Sequence, residues 1–432
     1  MVAPALVTDA RPAPALRPVQ AGERIQVLDI LRGFAIFGIL LVNMAFFAGP
    51  AVYDVAAGIE RWPQLHDRVA EWLIRFFAEG KFYTLFSFLF GLGLSIQMTR
   101  AEARGARFVP LYARRLFVLF LIGLAHAFLL WHGDILVTYA ILGFPLLLFR
   151  KRALKTLLWW AAILLLLPVL FLGLSVASLA AGRASPEAAA QIERIFAEAG
   201  ASYAAQAEAA VRAYGQGAFG EIMAQRAQEV LLMWSFSLFT APSVLAMFLL
   251  GLYAGRQGIV QNVPAHQPLI RKVMMWGLLL GVAGNLVSTV GQDLSSRAIP
   301  STVGLLALAG STIGGPALCF FYVCGLALLT QDTAWLRRLS PLAAVGRMAL
   351  TNYLLQSLVG TTIFYSFGLG LYGQVGPAAG LALTIAIYLI QVPCSIWWLH
   401  RFQFGPVEWL WRSLTYLRWQ PIRSQPPAPA AA

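Results

Sequence analysis

The sequence predicts an all-α fold: a polytopic integral membrane bundle of about ten transmembrane helices, with both termini on the cytoplasmic side. Three observations carry that expectation. Of 432 residues, 59% are hydrophobic and only 12% are charged. Apolar runs of about twenty residues, the length needed to cross a bilayer, recur along the chain. Lys and Arg fall in short clusters between those runs, which is how loops orient a membrane protein. The formal net charge of +13 is therefore read as topology, and no nucleic-acid partner is expected.

Residues 1–23, rich in Ala and Pro, lack the ordered basic, apolar and small-residue regions of a signal peptide, so a disordered cytoplasmic tail is expected. Apolar runs then mark spans at 30–49, 82–98, 115–131, 134–150 and 156–180, which form an N-terminal transmembrane half over 24–180. Spans three and four are separated only by His132 and Gly133, which predicts a tight helical hairpin. Residues 181–229 are rich in Ala and Glu and read as an extracytoplasmic helical segment lying over the bundle or gating it.

Spans at 230–254, 273–291, 303–330, 341–365 and 377–400 follow within a C-terminal transmembrane domain over 230–415. The third of these contains Gly314, Gly315 and Pro316, so it is expected to kink or to be shorter than drawn. The domain closes on an amphipathic helix, and 416–432 is expected to be a second disordered tail. With the N-terminus inside, one side collects Arg100, Arg104, Arg114, Arg115, Arg150, Lys151, Arg271, Lys272, Arg337 and Arg338, which supports the N-in, C-in arrangement. Cys319, Cys324 and Cys394 lie in apolar segments without metal-ligand spacing and read as packing residues, so no metal is expected.

The polar residues inside these runs are the functional candidates, because ionisable groups in a membrane are costly unless they meet partners or water. On span one, Asp29, Arg32 and Asn43 share a helix face, with Asp29 and Asn43 about 21 Å apart along the axis. Lys81 stands at the mouth of span two, where Gly91 and Gly93 permit close helix approach. Span three opens on Arg114 and Arg115, and His126 follows about 18 Å farther along. Asp134 can fold back across the hairpin to orient His126, the arrangement a general base needs. His66, in the outer loop, is a rival.

Near the start of span nine, Arg347 pairs with Thr351 on one face and Asn352 with Gln356 on another, so polar stripes enter the membrane. Glu408 and Arg412 lie four residues apart on the terminal amphipathic helix. Two polar layers result: Asp29, Arg32, Arg114, Arg115 and Arg347 on the inner side, and Asn43, Lys81, His126 and Asp134 on the outer. An Arg-rich inner mouth suits phosphate or another anion. The absence of P-loop, dinucleotide, H-E-x-x-H and G-x-S-x-G motifs argues against nucleotide-driven transport and serine hydrolysis.

Several motifs carry a resemblance: R-x-x-x-L-D-x-x-R-G at 24–33, K-F-x-T-L-F-x-x-L-F-G-x-G-L at 81–94, G-D-I-L at 133–136, G-R-M-A-L-T-N-Y-L-L-Q at 346–356 and G-P-V-E-W-L-W-R at 405–412. Over residues 24–415 the chain resembles the YeiB family of bacterial inner-membrane proteins, whose C-terminal half is a domain of unknown function. Its opening motif is also similar to that of heparan-alpha-glucosaminide N-acetyltransferase. This second resemblance implies acyl transfer from cytosolic acetyl-CoA across the bilayer, with His66 in the stretch corresponding to that family's loop histidine.

The expected function is thus transfer of an acyl group from acyl-CoA, as co-substrate, to a glycan or similar extracytoplasmic acceptor; the alternative is transport of a small anionic solute. Arg32, Arg114, Arg115, Arg347 and Asn352 are expected on the CoA side. His126 is the expected base, Asp134 its orienter, and Asn43 or Lys81 the oxyanion donor. Asp29, Gln356, Glu408 and Arg412 are expected to form the supporting polar network. The bilayer of the bacterial inner membrane is the expected setting, with a homodimer as an allowed assembly.

Overall fold

The computed structural model describes residues 25–423 apart from 106, 184 and 296–298. The helices are α1 (Gln26–Ala48), α2 (Ala51–Ala57), α3 (Leu65–Phe77), α4 (Phe82–Ala103) and α5 (Phe108–Ala125), the last extended by a π turn over His126–Leu130. They continue as α6 (Leu136–Phe149), α7 (Leu154–Gly182), α8 (Pro186–Gln216), α9 (Phe219–Arg256) and α10 (Gln267–Leu294). The remainder are α11 (Thr302–Leu329), α12 (Thr333–Arg347), α13 (Ala349–Phe364), α14 (Pro377–Arg401) and α15 (Pro406–Tyr416). Among the described residues no β-strand occurs; Phe402 and Arg423 form an isolated bridge.

Among the described residues eight segments are long and apolar enough to cross a membrane: α1, α3 with α4, α5 with its π turn, α7, α9, α10, α11 and α14. On α7, Trp159, Leu166, Leu170, Phe171 and Leu174 are exposed along the helix, as expected of a surface bathed in lipid rather than water. Two expected spans take other forms. The fourth is only the 14 residues of α6, because the chain between His126 and Ile135 leaves the α-helical path. The ninth is divided at Met348 into α12 and α13. The α11 helix, in contrast, runs unbroken through Pro316, and Gly314 is used as a contact: a Cβ there would strike the backbone of Gly284 and Asn285 on α10.

Two helices were not legible as apolar runs. The α2 and α3 helices fill the loop after α1, and α3 exposes Leu65, Val69, Leu73 and Phe77 at four-residue spacing, the pattern of a helix lying in the membrane interface. At the other end, 417–423 is not free chain as expected from 416 onward. Leu417 takes a left-handed conformation, the Trp409 indole N–H donates to the Gln420 carbonyl, and Trp419 stacks on Trp409. The expected tail at 1–23 lies outside the described residues.

The core is built around α1. A Cβ on Gly33 would meet the Leu342 carbonyl and one on Gly346 the Asp29 carbonyl, so α1 and α12 touch backbone to backbone. Gly91 on α4 and Gly251 on α9 repeat this device against the carbonyls of Phe248 and Phe88, whereas a Cβ on Gly93 would meet only the Gln97 side chain of its own helix, at 3.9 Å. Cys319 and Cys324 join the apolar cluster that surrounds these contacts. The two halves of the chain therefore interleave: α1 packs on α12, α13 and α14, and α4 packs on α9. The α8 helix buries Ala207, Ala210 and Tyr214 against the rest of the protein, so it is a cover on one end of the bundle.

Candidate functional site

The non-helical stretch between α5 and α6 creates the site. The π turn widens the end of α5, with the Trp131 amide donating to the His126 carbonyl at 2.8 Å. Such turns recur at functional positions because they re-aim one side chain. Irregular backbone is tolerated at membrane depth only where protein covers it. Here His126, Trp131, His132 and Asp134 are all buried, beneath α8 and the first turns of α9.

Asp134 has two jobs, divided between its oxygens. Its Oδ1 accepts from the Val137 amide at 2.8 Å and so caps the first turn of α6. Its Oδ2 lies 2.7 Å from Nδ1 of His126, in the pairing expected from the sequence. On the other side of the ring, Nε2 lies 2.8 Å from the Ser357 hydroxyl on α13. A carboxylate only accepts, so it assigns the proton to Nδ1, and Nε2 then accepts from the serine. The His126 and Asp134 side chains are 1% and 0% exposed, so this Ser357–His126–Asp134 chain sits in a low-dielectric interior.

Ser357 was not singled out from the sequence. A serine on an apolar helix ordinarily bonds back to its own helix, and this one has the Tyr353 carbonyl at 3.4 Å as that alternative. The available signal was the four-residue stripe Tyr353–Ser357–Thr361, on a different face from Asn352 and Gln356. Tyr353 belongs to the same place: its ring centroid is 5.1 Å from that of His126, and its hydroxyl donates to the Gly133 carbonyl.

Asn352 and Gln356 form a buried network beside the site. Asn352 donates to Ser395 at 3.0 Å and Gln356 to Gln391 at 2.8 Å, while Gln391 donates to the Asn352 carbonyl. Gln356 also reaches the Ile36 carbonyl. The expected polar stripe thus ties α13 to α14 and α1.

A second His–carboxylate pair lies beyond Trp131. His132 Nδ1 is 2.9 Å from Glu229 Oε2, which also accepts from the Tyr214 hydroxyl at 2.6 Å. Gln225 donates to Glu229 Oε1 at 3.0 Å. His132 and Glu229 help line a small cavity of about 10 Å³, walled by Phe46, Tyr53, Met233 and Tyr372. Burial and the charge of Glu229 push the Tyr53 and Tyr372 phenols above their ordinary range, so both stay neutral donors. Trp131 separates this pocket from His126, its ring 6.2 Å from one histidine and 5.6 Å from the other.

The remaining expected residues divide. Asp29 and Arg32 form a local ion pair at 2.6 Å. Arg114 donates to the Thr415 carbonyl, and Arg115 lies 3.7 Å over the Trp411 ring, so both hold α15 to the bundle. The charges of Arg32 and Arg115 are near enough to interact, and the Gly346–Asp29 contact brings Arg347 to the same level. Arg412 stacks on Phe404.

Glu408 crosses to α13, where it accepts from the amides of Leu350 and Thr351 at 2.7 and 3.0 Å and from the Thr351 hydroxyl. It therefore caps the helix whose break at Met348 left those amides without intrahelical acceptors. Burial nevertheless raises its pKa, against the lowering effect of those same hydrogen bonds.

Lys81 is buried at the α3–α4 corner, where its ammonium donates to the Arg75 carbonyl at 2.8 Å. Asn43 is half-buried one turn before Phe47, whose ring packs 4.1 Å from Trp131. Neither hydrogen-bonds to His126 or Asp134 among the described residues. His66 is exposed on α3 beside Asp67, apart from the buried chain.

Fold and site together define a polytopic α-helical membrane protein with a histidine-centred polar chain in its interior. A family model described as "Protein of unknown function (DUF418)" matches residues 254–418. The "Uncharacterized protein YxaH" of Bacillus subtilis (strain 168) is 42% identical over 422 residues, covering 94% of this chain and 98% of that protein. The "Uncharacterized 39.9 kDa protein in amylase 3'region" of Bacillus acidopullulyticus is 34% identical over 94% of this chain and 97% of its own length. The "Uncharacterized protein YeiB" of Escherichia coli (strain K12) is 31% identical over 91% of this chain and 96% of that protein. The chain belongs to the YeiB family, whose C-terminal region is DUF418.

Proposed function

We propose that this protein is a membrane-bound acyltransferase of the bacterial inner membrane, moving an acyl group from cytoplasmic acyl-CoA to a hydroxyl or amine on an extracytoplasmic acceptor such as an envelope glycan. The observation that carries this reading is His126 held between a carboxylate and a hydroxyl in a buried interior. A neutral imidazole with Asp134 on Nδ1 can take a proton at Nε2 and return it, and the carboxylate stabilises the imidazolium formed in between. Acyl transfer needs that exchange: the attacking group must lose a proton and the departing thiolate must gain one.

The level of Arg32 and Arg347 suits the CoA phosphates, since guanidinium groups match phosphate oxygens in paired hydrogen bonds. Arg347 ends α12 and Ser357 lies eight residues into α13 from Ala349, about 12 Å along that helix, a separation that the long arm of a CoA thioester can bridge.

Purified protein in detergent or nanodiscs is expected to consume acetyl-CoA slowly without acceptor and faster with added envelope glycan, and His126→Ala is expected to abolish both. If the wild-type protein releases no CoA and acyl-CoA leaves its thermal stability unchanged, the reading fails.

One observation favours a second reading. The pairs His126–Asp134 and His132–Glu229 flank Trp131 in series, as a proton relay for transport of a small anion would require. That reading predicts counterflow of an unmodified solute in proteoliposomes, collapsed by His132→Ala.

A further inference from the structure

The hydroxyl that meets Nε2 of His126 belongs to the protein, not to a substrate, and this points beyond simple base catalysis. We propose that Ser357 is a nucleophile that carries the acyl group as an ester between donor and acceptor. The proposal rests on the acyltransferase reading for its donor, but the reactivity it assigns to Ser357 can be tested without one.

Three features of the geometry support it. First, the Ser357 hydroxyl can donate to one acceptor only, and Nε2 at 2.8 Å outcompetes the Tyr353 carbonyl at 3.4 Å, so the proton is directed at the base. Second, the base is itself fixed by Asp134 at 2.7 Å, which completes a nucleophile, a base and an orienting carboxylate in series. That constellation is recognised by geometry and roles, whatever fold holds it. Third, the Trp131 indole N–H is buried on a ring 6.2 Å from that of His126 and has no hydrogen-bond acceptor among the described residues. A buried donor without a partner is costly. It becomes useful where an oxyanion forms, because a donor already in place need not reorganise when the charge appears.

The reaction balances in two halves. In the first, Ser357 Oγ attacks the thioester carbonyl while its proton passes to His126 Nε2. The carbon–sulfur bond then breaks, and the thiolate leaves with that proton as CoA thiol. In the second, an acceptor hydroxyl or amine gives a proton to Nε2 and attacks the serine ester. The Ser357 oxygen leaves and recovers the proton from the imidazolium. A covalent relay also suits a closed interior, since donor and acceptor need not occupy it together.

The test uses a fluorophosphonate probe, which phosphonylates activated serines irrespective of their substrate, on full-length protein in nanodiscs, with peptide mass spectrometry to locate the label. The wild-type protein is expected to carry the label at Ser357, and Ser357→Ala is expected to carry none. His126→Ala and Asp134→Asn are expected to react about 10³-fold more slowly or less. A second arm quenches the wild-type protein with labelled acetyl-CoA in acid and seeks an acetyl ester on the Ser357 peptide.

No label on wild-type Ser357 overturns the proposal, and this result requires no variant to fold. So does a Ser357→Ala protein that transfers acyl groups at the wild-type rate, although the acyltransferase reading then survives. A fluorophosphonate label on Ser357 in a protein that consumes no acyl-CoA has the opposite effect: the nucleophile stands and the acyl-CoA reading falls.

Discussion

Asp134→Asn separates orientation of the base from stability of the fold, because the two oxygens of Asp134 serve different partners. Asparagine keeps a carbonyl oxygen for the Val137 amide, so the first turn of α6 retains its cap. Its amide nitrogen would then face Nδ1 of His126, which must switch from donor to acceptor. The imidazole proton moves to Nε2 and points at Ser357, and the ring can no longer take a proton there.

The expected loss in turnover is about 10⁴-fold, the scale found when a triad aspartate elsewhere is replaced by its amide and the tautomer is reversed. Stability should change by less than about 1 kcal/mol, since only the character of one hydrogen bond alters. Asp134→Ala should lose the same activity and, in addition, about 2–4 kcal/mol from the missing cap and an unpaired Nδ1–H. The assay is CoA release by both variants alongside thermal unfolding in one detergent, with nitrogen chemical shifts of labelled histidine reporting the tautomer. An Asp134→Asn protein within tenfold of wild-type activity, or one whose His126 tautomer is unchanged, would refute the reasoning.

Two further expectations concern the frame. Burial raises the Glu408 pKa, so its neutral form is the one the fold prefers; its contribution is fullest below the ordinary carboxylate range and declines as pH rises through the raised value. Thermal scans should therefore show a downward slope with pH that Glu408→Gln removes, and Glu408→Ala should lose about 2–4 kcal/mol by stranding the Leu350 and Thr351 amides. Gly346→Ala places a methyl group against the Asp29 carbonyl and should lose about 3 kcal/mol or more, measured by size exclusion and thermal unfolding. Gly93→Ala meets only the Gln97 side chain, at ordinary contact distance, and should be neutral or slightly stabilising.

Much of the fold was legible because long apolar runs have few alternatives: α1, α4, α5, α7, α9, α10, α11 and α14 all fall on expected spans. What escaped was structure that breaks the run. The α3 helix is amphipathic rather than apolar, and the division at Met348 depends on Glu408, 58 residues away from Leu350, supplying an acceptor.

The site shows the same division. His126 and Asp134 were paired from their positions on either side of a hairpin. Ser357 and Glu229 could not be joined to it, because their partners are set by helix packing. The inner arginines were read as free for an anion, yet Arg114 and Arg115 clasp α15, a use visible only once the terminal helix is placed. Lys81 carried an expected catalytic role, and its ammonium meets the Arg75 carbonyl at the end of α3.

The spacing of the polar chain in sequence also bears on biogenesis. His126 and Asp134 are 8 residues apart, but His126 and Ser357 are 231 apart. A chain made from its N-terminus inserts the hairpin long before α13 exists, so the imidazole is oriented early and waits for its hydroxyl. A nascent or truncated chain therefore lacks the complete Ser357–His126–Asp134 chain. The chemistry proposed for Ser357 would be withheld until the last third of the protein has been built and has docked.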